Sequence, residues 1–199
     1  SGHACSEELK IILSLIKPKY FMPVHGEHRH LVKHMQLAQA VGVKEKNIFI
    51  MDIGKGSGGV AGRLSNLTPH RFIFDGVECN SIEGVLQSFK FKNVEMQKEV
   101  CKLVGMVAKK KGANKNWQQY QKLYWNGKEY KRDSKEYQEL LDRLYQAVYD
   151  QNENFRRDIK SCKGVTFTHS IGKNKKSETV LTSQEFCSRL TKLRDFEKI

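Results

Sequence analysis

Apolar residues in the second half of the chain recur at helical spacing. Ile82, Val85, Leu86 and Phe89 fall at i, i+3, i+4 and i+7, one stripe of a helix opening near Ser81. Tyr137, Leu140, Leu141, Leu144 and Val148 keep the same rhythm behind Asp133 and Glu136, a pair spaced like a capping box. Thr182 and Glu185 repeat that signature ahead of Phe186, Leu190, Leu193 and Phe196. Before these helices the period changes. Arg71-Phe-Ile-Phe74 and Val77-Glu-Cys79 flank Asp75-Gly76, and Asp-Gly between two short apolar runs predicts a hairpin with a tight turn. Three amphipathic helices, one hairpin and lysine-rich loops predict a mostly helical α+β domain without internal repeats.

The first quarter of the chain reads differently. Ser6 to about Lys17 carries a helical apolar pattern that Pro18 ends, because proline has no N–H to continue the ladder. Tyr20-Phe-Met-Pro-Val24 and Asn47-Ile-Phe-Ile-Met51 are short strand candidates, separated by a helix over Leu31 to Val41 that Gly42 closes. Glycine occupies four of the six positions in Gly54-Lys-Gly-Ser-Gly-Gly59, too many for the interior of an element. The expected organisation is an α/β fragment over residues 1–53, a glycine-rich linker over 54–61 and the α+β domain over 62–199. The fragment alone is too short to cover both faces of a sheet.

Charge narrows the partners. A net charge of +13 favours anionic ones, such as nucleotides, sugar phosphates or nucleic acid, without choosing among them. A basic surface that is merely solvated fits the same number. Five widely spaced cysteines with no CxxC pair suit neither a disulfide framework nor a zinc knuckle, which points to a reducing cytosol. No apolar run approaches the roughly 18 residues of a membrane span, so no membrane partner is expected. The opening Ser1-Gly-His3 has no charged-then-apolar leader and reads as a start inside a longer protein.

Five of the seven histidines lie between His3 and His34. His28, His30 and His34 have spacings that can hold a metal, although a solvated helix end rich in histidine explains them as well. Ser1-Gly-His-Ala4 and Pro23-Val-His-Gly-Glu27, with Glu7-Glu-Leu9 and Lys17-Pro-Lys-Tyr20 between them, resemble the last histidine motifs of the β-CASP ribonucleases of the RNase J group. The resemblance runs from Ser1 to about Asp52. It implies that His3 would contact a scissile phosphate and that His25 would complete a two-metal site. The His-x-His-x-Asp-His motif that supplies the other ligands in that family is absent from the sequence. The piece is therefore expected to be inactive alone and to hold no catalytic metal, while RNA remains a possible partner for it.

Glu83, Gln87 and Lys90 fall at i, i+4 and i+7, so a helix presents all three on one face, opposite the apolar stripe. An ordinary set of surface side chains has the same spacing. The surrounding motifs say more. Gly62-Arg-Leu-Ser-Asn66, Phe74-Asp-Gly-Val-Glu78 and Ser81-Ile-Glu-Gly-Val-Leu-Gln-Ser-Phe-Lys-Phe91 resemble the opening of the NADAR/YbiA family of N-glycosidases. Looser likeness extends through Ala108 to Trp117, Val148-Tyr-Asp-Gln-Asn152 and His169-Ser-Ile-Gly-Lys173 to about Phe196. The resemblance implies a hydrolase that cleaves an N-glycosidic bond of a riboflavin-pathway intermediate or of ADP-ribosylated guanine, without a cofactor. The expected partner is thus a phosphorylated nucleotide-like molecule or ADP-ribosylated nucleic acid. The alternative is a nucleic-acid-binding or metal-dependent ribonuclease fragment of the RNase J type.

Within that reading Glu83 is the key carboxylate, stabilising an oxocarbenium-like sugar or activating water. Lys90 favours its ionised form and can bind phosphate. Arg63 and Asn66 belong to the sugar pocket, with turn formation the other role for Asn66. Trp117 and Trp125 stack on a base or fill the core. His169 protonates a leaving base or caps a loop, and Lys173 meets phosphate or solvent. Two departures from the family pattern stand out. The tryptophan–glycine pair near its C-terminus is replaced by His169-Ser-Ile-Gly172, and Gly84 stands where histidine is common.

Overall fold

The computed structural model describes residues 5–23, 28–44, 47–54, 58–113 and 115–195, with His28 and Arg29 described as backbone only. His3, His25, Val24, Phe196 and residues 55–57 of the expected linker lie outside the described residues.

Two helices open the chain, α1 (Ser6–Ile16) and α2 (His28–Ala40). Lys17 turns into the left-handed region (φ 47°) ahead of Pro18, so the first helix stops where proline required. Leu13, Ala38 and Val43 form a small core of their own, with Phe21, Leu37, Val41 and Ile48 packed against it. The expected strand at 20–24 amounts to one parallel bridge between Phe21 and Ile48. The strand expected over 47–51 forms three residues later as β1 (Ile50–Asp52).

Beyond a short turn of helix, α3 (Gly59–Arg63), comes the expected hairpin, β2 (Phe72–Phe74) and β3 (Val77–Cys79). Asp75 and Gly76 both take positive φ (46° and 81°), the turn that matches the twist of the flanking strands. Helix α4 (Ile82–Ser88) is capped by the Ser81 hydroxyl, which accepts from the Gly84 N–H at 3.0 Å. Then follow α5 (Val94–Cys101), α6 (Gly105–Lys111) and α7 (Trp117–Tyr120). A second hairpin, absent from the expected elements, joins β4 (Lys122–Trp125) to β5 (Lys128–Lys131) and turns at Asn126-Gly127, itself a strong hairpin signal.

The longest helix, α8 (Lys135–Gln151), forms the centre of the main core with Tyr137, Leu140, Leu141, Leu144, Tyr145 and Val148 all buried. Its cap is Ser134, whose hydroxyl accepts from the Tyr137 N–H at 3.2 Å, rather than Asp133 as the spacing suggested. Both residue types cap well, and the chain uses the one nearer the first turn. After α9 (Glu153–Ser161) and β6 (Thr166–Thr168), the last described element is α10 (Ser183–Asp195). Here the capping box is made as expected. Thr182 Oγ1 accepts from the Glu185 N–H at 3.1 Å, and Glu185 Oε2 accepts from the Thr182 N–H at 2.7 Å.

The architecture is α+β, with helices dominating and three two-stranded sheets among the described residues. One of these sheets joins segments more than a hundred residues apart. Strand β1 pairs in parallel with β6 in the register Ile50–Thr166, Met51–Phe167 and Asp52–Thr168, and Ile53 is fully buried in the main core. The strand before the glycine run is thus part of a sheet beside the main core. All five cysteines are free thiols. Among the described residues, no helix is long and apolar enough to cross a membrane.

Candidate active site

Helix α4 explains how an acidic side chain reaches the interior. Ile82, Val85 and Phe89 are buried in the core, Leu86 is buried at the border, and the other face meets a cleft of about 320 Å3 that Leu86 also lines. Glu83, Gln87 and Lys90 line that cleft together. The Gln87 amide donates to Glu83 Oε1 at 2.8 Å, and the Lys90 ammonium donates to the Gly112 carbonyl at 3.1 Å. The helical face read from the sequence is therefore the floor of a cavity rather than a solvated surface.

The other walls come from distant parts of the chain. Asn66 enters from the loop after α3, and its Oδ1 accepts from the buried Tyr145 hydroxyl at 2.8 Å. Lys109 of α6 and Trp117 and Gln118 of α7 close one side. His169, Ile171, Gly172 and Lys173 follow β6 on the other side, and a strap of Glu178 to Thr182 with Phe186 completes the cleft. Lys109 and the strap fall within the looser family-like stretches, but no sequence pattern singles them or Gln118 out as site residues. They reach the cleft through tertiary packing alone.

Two expected site residues are elsewhere. Arg63 turns away to form a two-bond ion pair with the buried Asp158, at 2.6 and 2.9 Å. Trp125 is a core residue, 1% exposed, stacked on Phe74 with ring centroids 5.2 Å apart. Its indole N–H donates to Asp75 at 2.8 Å, which ties the two hairpins together. The other seven expected residues (Glu83, Lys90, Asn66, Gln87, Trp117, His169 and Lys173) all line the cleft.

Electrostatics at the floor follow from burial. The Glu83 carboxyl titrates above its ordinary range because desolvation penalises the anion. The Gln87 amide and the positive fields of Lys109, Lys90 and His169 oppose that rise without cancelling it. Desolvation likewise pushes Lys90 below the usual lysine range. Glu83 pulls it back up, and Lys109 lowers it further. Two oppositely charged groups share a dry floor, and both are biased toward neutrality.

Packing explains the glycine in each of the two departures from the family pattern. Gly84 lies on the side of α4 away from the cleft, where a Cβ would stand 2.9 Å from the Leu103 and Val100 carbonyls and 3.0 Å from that of Cys101. No side chain fits there. Gly84→Ala is expected to cost about 1–3 kcal/mol through overpacking, despite alanine's better helix propensity. The urea midpoint measures it, and an unchanged midpoint would show that α4 and α5 can separate. Gly172 is close-packed too: a Cβ there would meet the Ser183 hydroxyl at 2.2 Å and His169 Cδ2 at 2.4 Å. His169 and Gly172 thus stand together in the cleft wall.

A sequence model of the family Bacteriophage protein GP30.3 matches residues 58–195, more than half of the chain. The chain belongs to the GP30.3 family. A member from Enterobacteria phage T4, an uncharacterized 17.1 kDa protein of the Gp30–rIII intergenic region, is 36% identical over 134 residues, 66% of this chain and 88% of that protein. The GP30.3 region carries the fold of Escherichia coli YbiA, whose NMR structure superposes with a TM-score of 0.52. The match covers 74% of this chain and 83% of that one at 17% identity.

Ahead of the GP30.3 region, residues 1–51 match the Zn-dependent metallo-hydrolase RNA specificity domain. Ribonuclease J of Helicobacter pylori strain J99 is 59% identical over 54 residues, 27% of this chain. That stretch is 8% of the ribonuclease's own length. Among the described residues, no group of three or more histidine, cysteine or acidic side chains is arranged to hold a metal.

Proposed function

We propose that the GP30.3 region is an N-glycosidase that hydrolyses the bond between a ribosyl or ADP-ribosyl carbon and a base nitrogen. The observation that carries this reading is the desolvated Glu83 at the floor of a cleft, bonded to Gln87 and within the fields of the Lys109 and Lys90 ammonium groups. The YbiA fold and the NADAR-type motifs around Glu83 support it.

In the reaction, the C1′–N bond breaks and its electron pair leaves with the base, generating an oxocarbenium-like sugar. The Glu83 carboxylate faces that positive charge and takes the proton of the water that adds to C1′. Lys90, whose burial eases loss of its proton, supplies the proton that the base takes up. Lys109 and Lys173 reach the cleft as cations suited to substrate phosphate. Arg63 and Trp125 take no part.

The test is product analysis with two candidate substrates, ADP-ribosylated guanosine and the early phosphoribosyl intermediate of riboflavin synthesis. Release of free base from one of them, unaffected by a metal chelator, is the expected result and chooses the substrate. Folded protein that cleaves neither would overturn the reading. A second reading, RNA contact through residues 1–51, is supported by the match to an RNA specificity domain. Chelator-sensitive RNA cutting would move the activity there.

A further inference from the structure

The cleft has one wall whose support lies outside the GP30.3 match. His169 follows β6, and its ring is held edge-on against Phe186 with centroids 5.2 Å apart. Its main-chain carbonyl accepts from the Ser183 hydroxyl at 2.9 Å. Neither contact decides which ring nitrogen carries a proton. That decision falls to the segment before the glycine run, where the Ile53 carbonyl oxygen meets His169 Nδ1.

A carbonyl oxygen only accepts hydrogen bonds, so Nδ1 must be the protonated nitrogen. In the neutral ring Nε2 is then left with its lone pair, as an acceptor. It donates only when the ring is an imidazolium.

Asp52 fixes the two backbones that make this contact. Its Oδ1 accepts from the Ser170 N–H at 2.8 Å and from the Thr168 hydroxyl at 3.0 Å, and its Oδ2 accepts from the Ser170 hydroxyl at 2.6 Å. The Ile53 N–H donates to the Thr168 carbonyl at 2.8 Å, extending the β1–β6 register by one residue. His169 is thus clamped from both sides in the sequence, at Thr168 and at Ser170, by one carboxylate 117 positions upstream of it.

We propose that Asp52 is a positioning residue for the cleft, which holds the Ile53 carbonyl against His169 and thereby fixes the ring with its proton on Nδ1 and a lone pair on Nε2. The consequence for chemistry is that neutral His169 presents an acceptor to the substrate, suited to a water or sugar hydroxyl and unsuited to donating to the base. The segment preceding the match at residue 58 is then part of the working cleft rather than a dispensable attachment. This rests on the glycosidase reading only for its kinetic consequence. The ring state stands apart from any activity.

The test uses the full chain at about pH 8.5, where an ordinary histidine ring is neutral. Long-range nitrogen–proton NMR of the imidazole, assigned by the signal lost in His169→Ala, reads the tautomer directly. The wild type should show the Nδ1–H form. Asp52→Ala should shift the ring toward a mixture of tautomers, and Asp52→Asn, which keeps an accepting oxygen, should restore the wild-type signal. If cleavage has been established, Asp52→Ala should also lower kcat by about tenfold or more with KM little changed. An Nε2–H tautomer in the wild type would overturn the proposal without any variant. So would an unchanged Nδ1–H signal in folded Asp52→Ala. If Asp52→Ala does not fold, Ser170→Ala removes one of the clamp's bonds and replaces it in the comparison. A fixed Nδ1–H ring in a protein that cleaves no N-glycoside would leave this inference standing and sink the reaction.

Discussion

Glu83→Gln is expected to lower base release by about 10²–10⁴-fold, the range for a positioned acid–base group, while raising the melting temperature at neutral pH. The two effects have one cause. Burial lifts the Glu83 pKa, so the folded protein holds that proton more tightly than the unfolded chain does. Glu83 therefore supports folding fully at pH values below the ordinary carboxylate range, and that support is lost as pH rises through its elevated value. Glutamine keeps the shape and remains neutral throughout. Wild type and variant should thus melt together near pH 4 and separate as the pH climbs, with the variant the more stable by roughly 2–4 °C per kcal/mol relieved. Because the reaction uses the anion, wild-type kcat should rise over the same pH window. A stability difference that stays flat with pH would mean the carboxylate is not desolvated in solution. Retained cleavage in the variant would remove Glu83 from the chemistry.

Periodicity made α4 legible because the core and the cleft lie on opposite sides of one short helix. Ile82, Val85, Leu86 and Phe89 had to be buried, and Glu83, Gln87 and Lys90 were left facing the other way. The residues that close the cleft over them are of another kind. Lys109, Gln118 and the strap from Thr179 to Thr182 arrive from separate elements, and nothing in their local pattern, the Thr182 cap included, says that they meet at a cleft. The Ile53 carbonyl is a backbone atom and leaves no trace in residue identity at all. Proximity in a motif also misled. Arg63 lies three positions from Asn66, yet its partner is Asp158, 95 residues away. A buried carboxylate draws a guanidinium more strongly than an open cleft does. Strand β1 is legible as a short strand, but it is only half-buried and its parallel partner is more than a hundred residues downstream. Local pattern gives no hint of such a pairing.

Arg132→Met is expected to destabilise the protein by about 3–5 kcal/mol, the cost of breaking a buried ion pair and leaving one charge behind. The Arg132 side chain is 1% exposed and that of Glu185 11%. The guanidinium donates two bonds to the Glu185 carboxylate, at 3.0 and 2.6 Å, and its Nε donates to the Thr179 carbonyl at 2.7 Å. Burial alone would raise the Glu185 pKa. The bonds from Arg132, the Thr182 N–H and Gln138 outweigh it and hold the carboxyl below its ordinary range. The pair therefore contributes stability at neutral pH, and this is lost only as pH falls through that depressed value. One more contact makes the site more than a ballast. The Tyr137 hydroxyl donates to the Val180 carbonyl at 2.9 Å, so Arg132 and Tyr137 together hold the strap that roofs the cleft. Arg132→Met should lower the urea midpoint and also weaken substrate binding, because the strap loses its Thr179 anchor. Adding Glu185→Leu removes the stranded charge and should recover most of the stability, since a buried pair replaced by apolar groups is often neutral or better. It should not recover binding, because Thr179 still has no donor. A double variant as unstable as the single one would mean that the helix cap at Thr182, lost with Glu185, matters more than the ion pair. Full binding in either variant would free the strap from any role in the cleft.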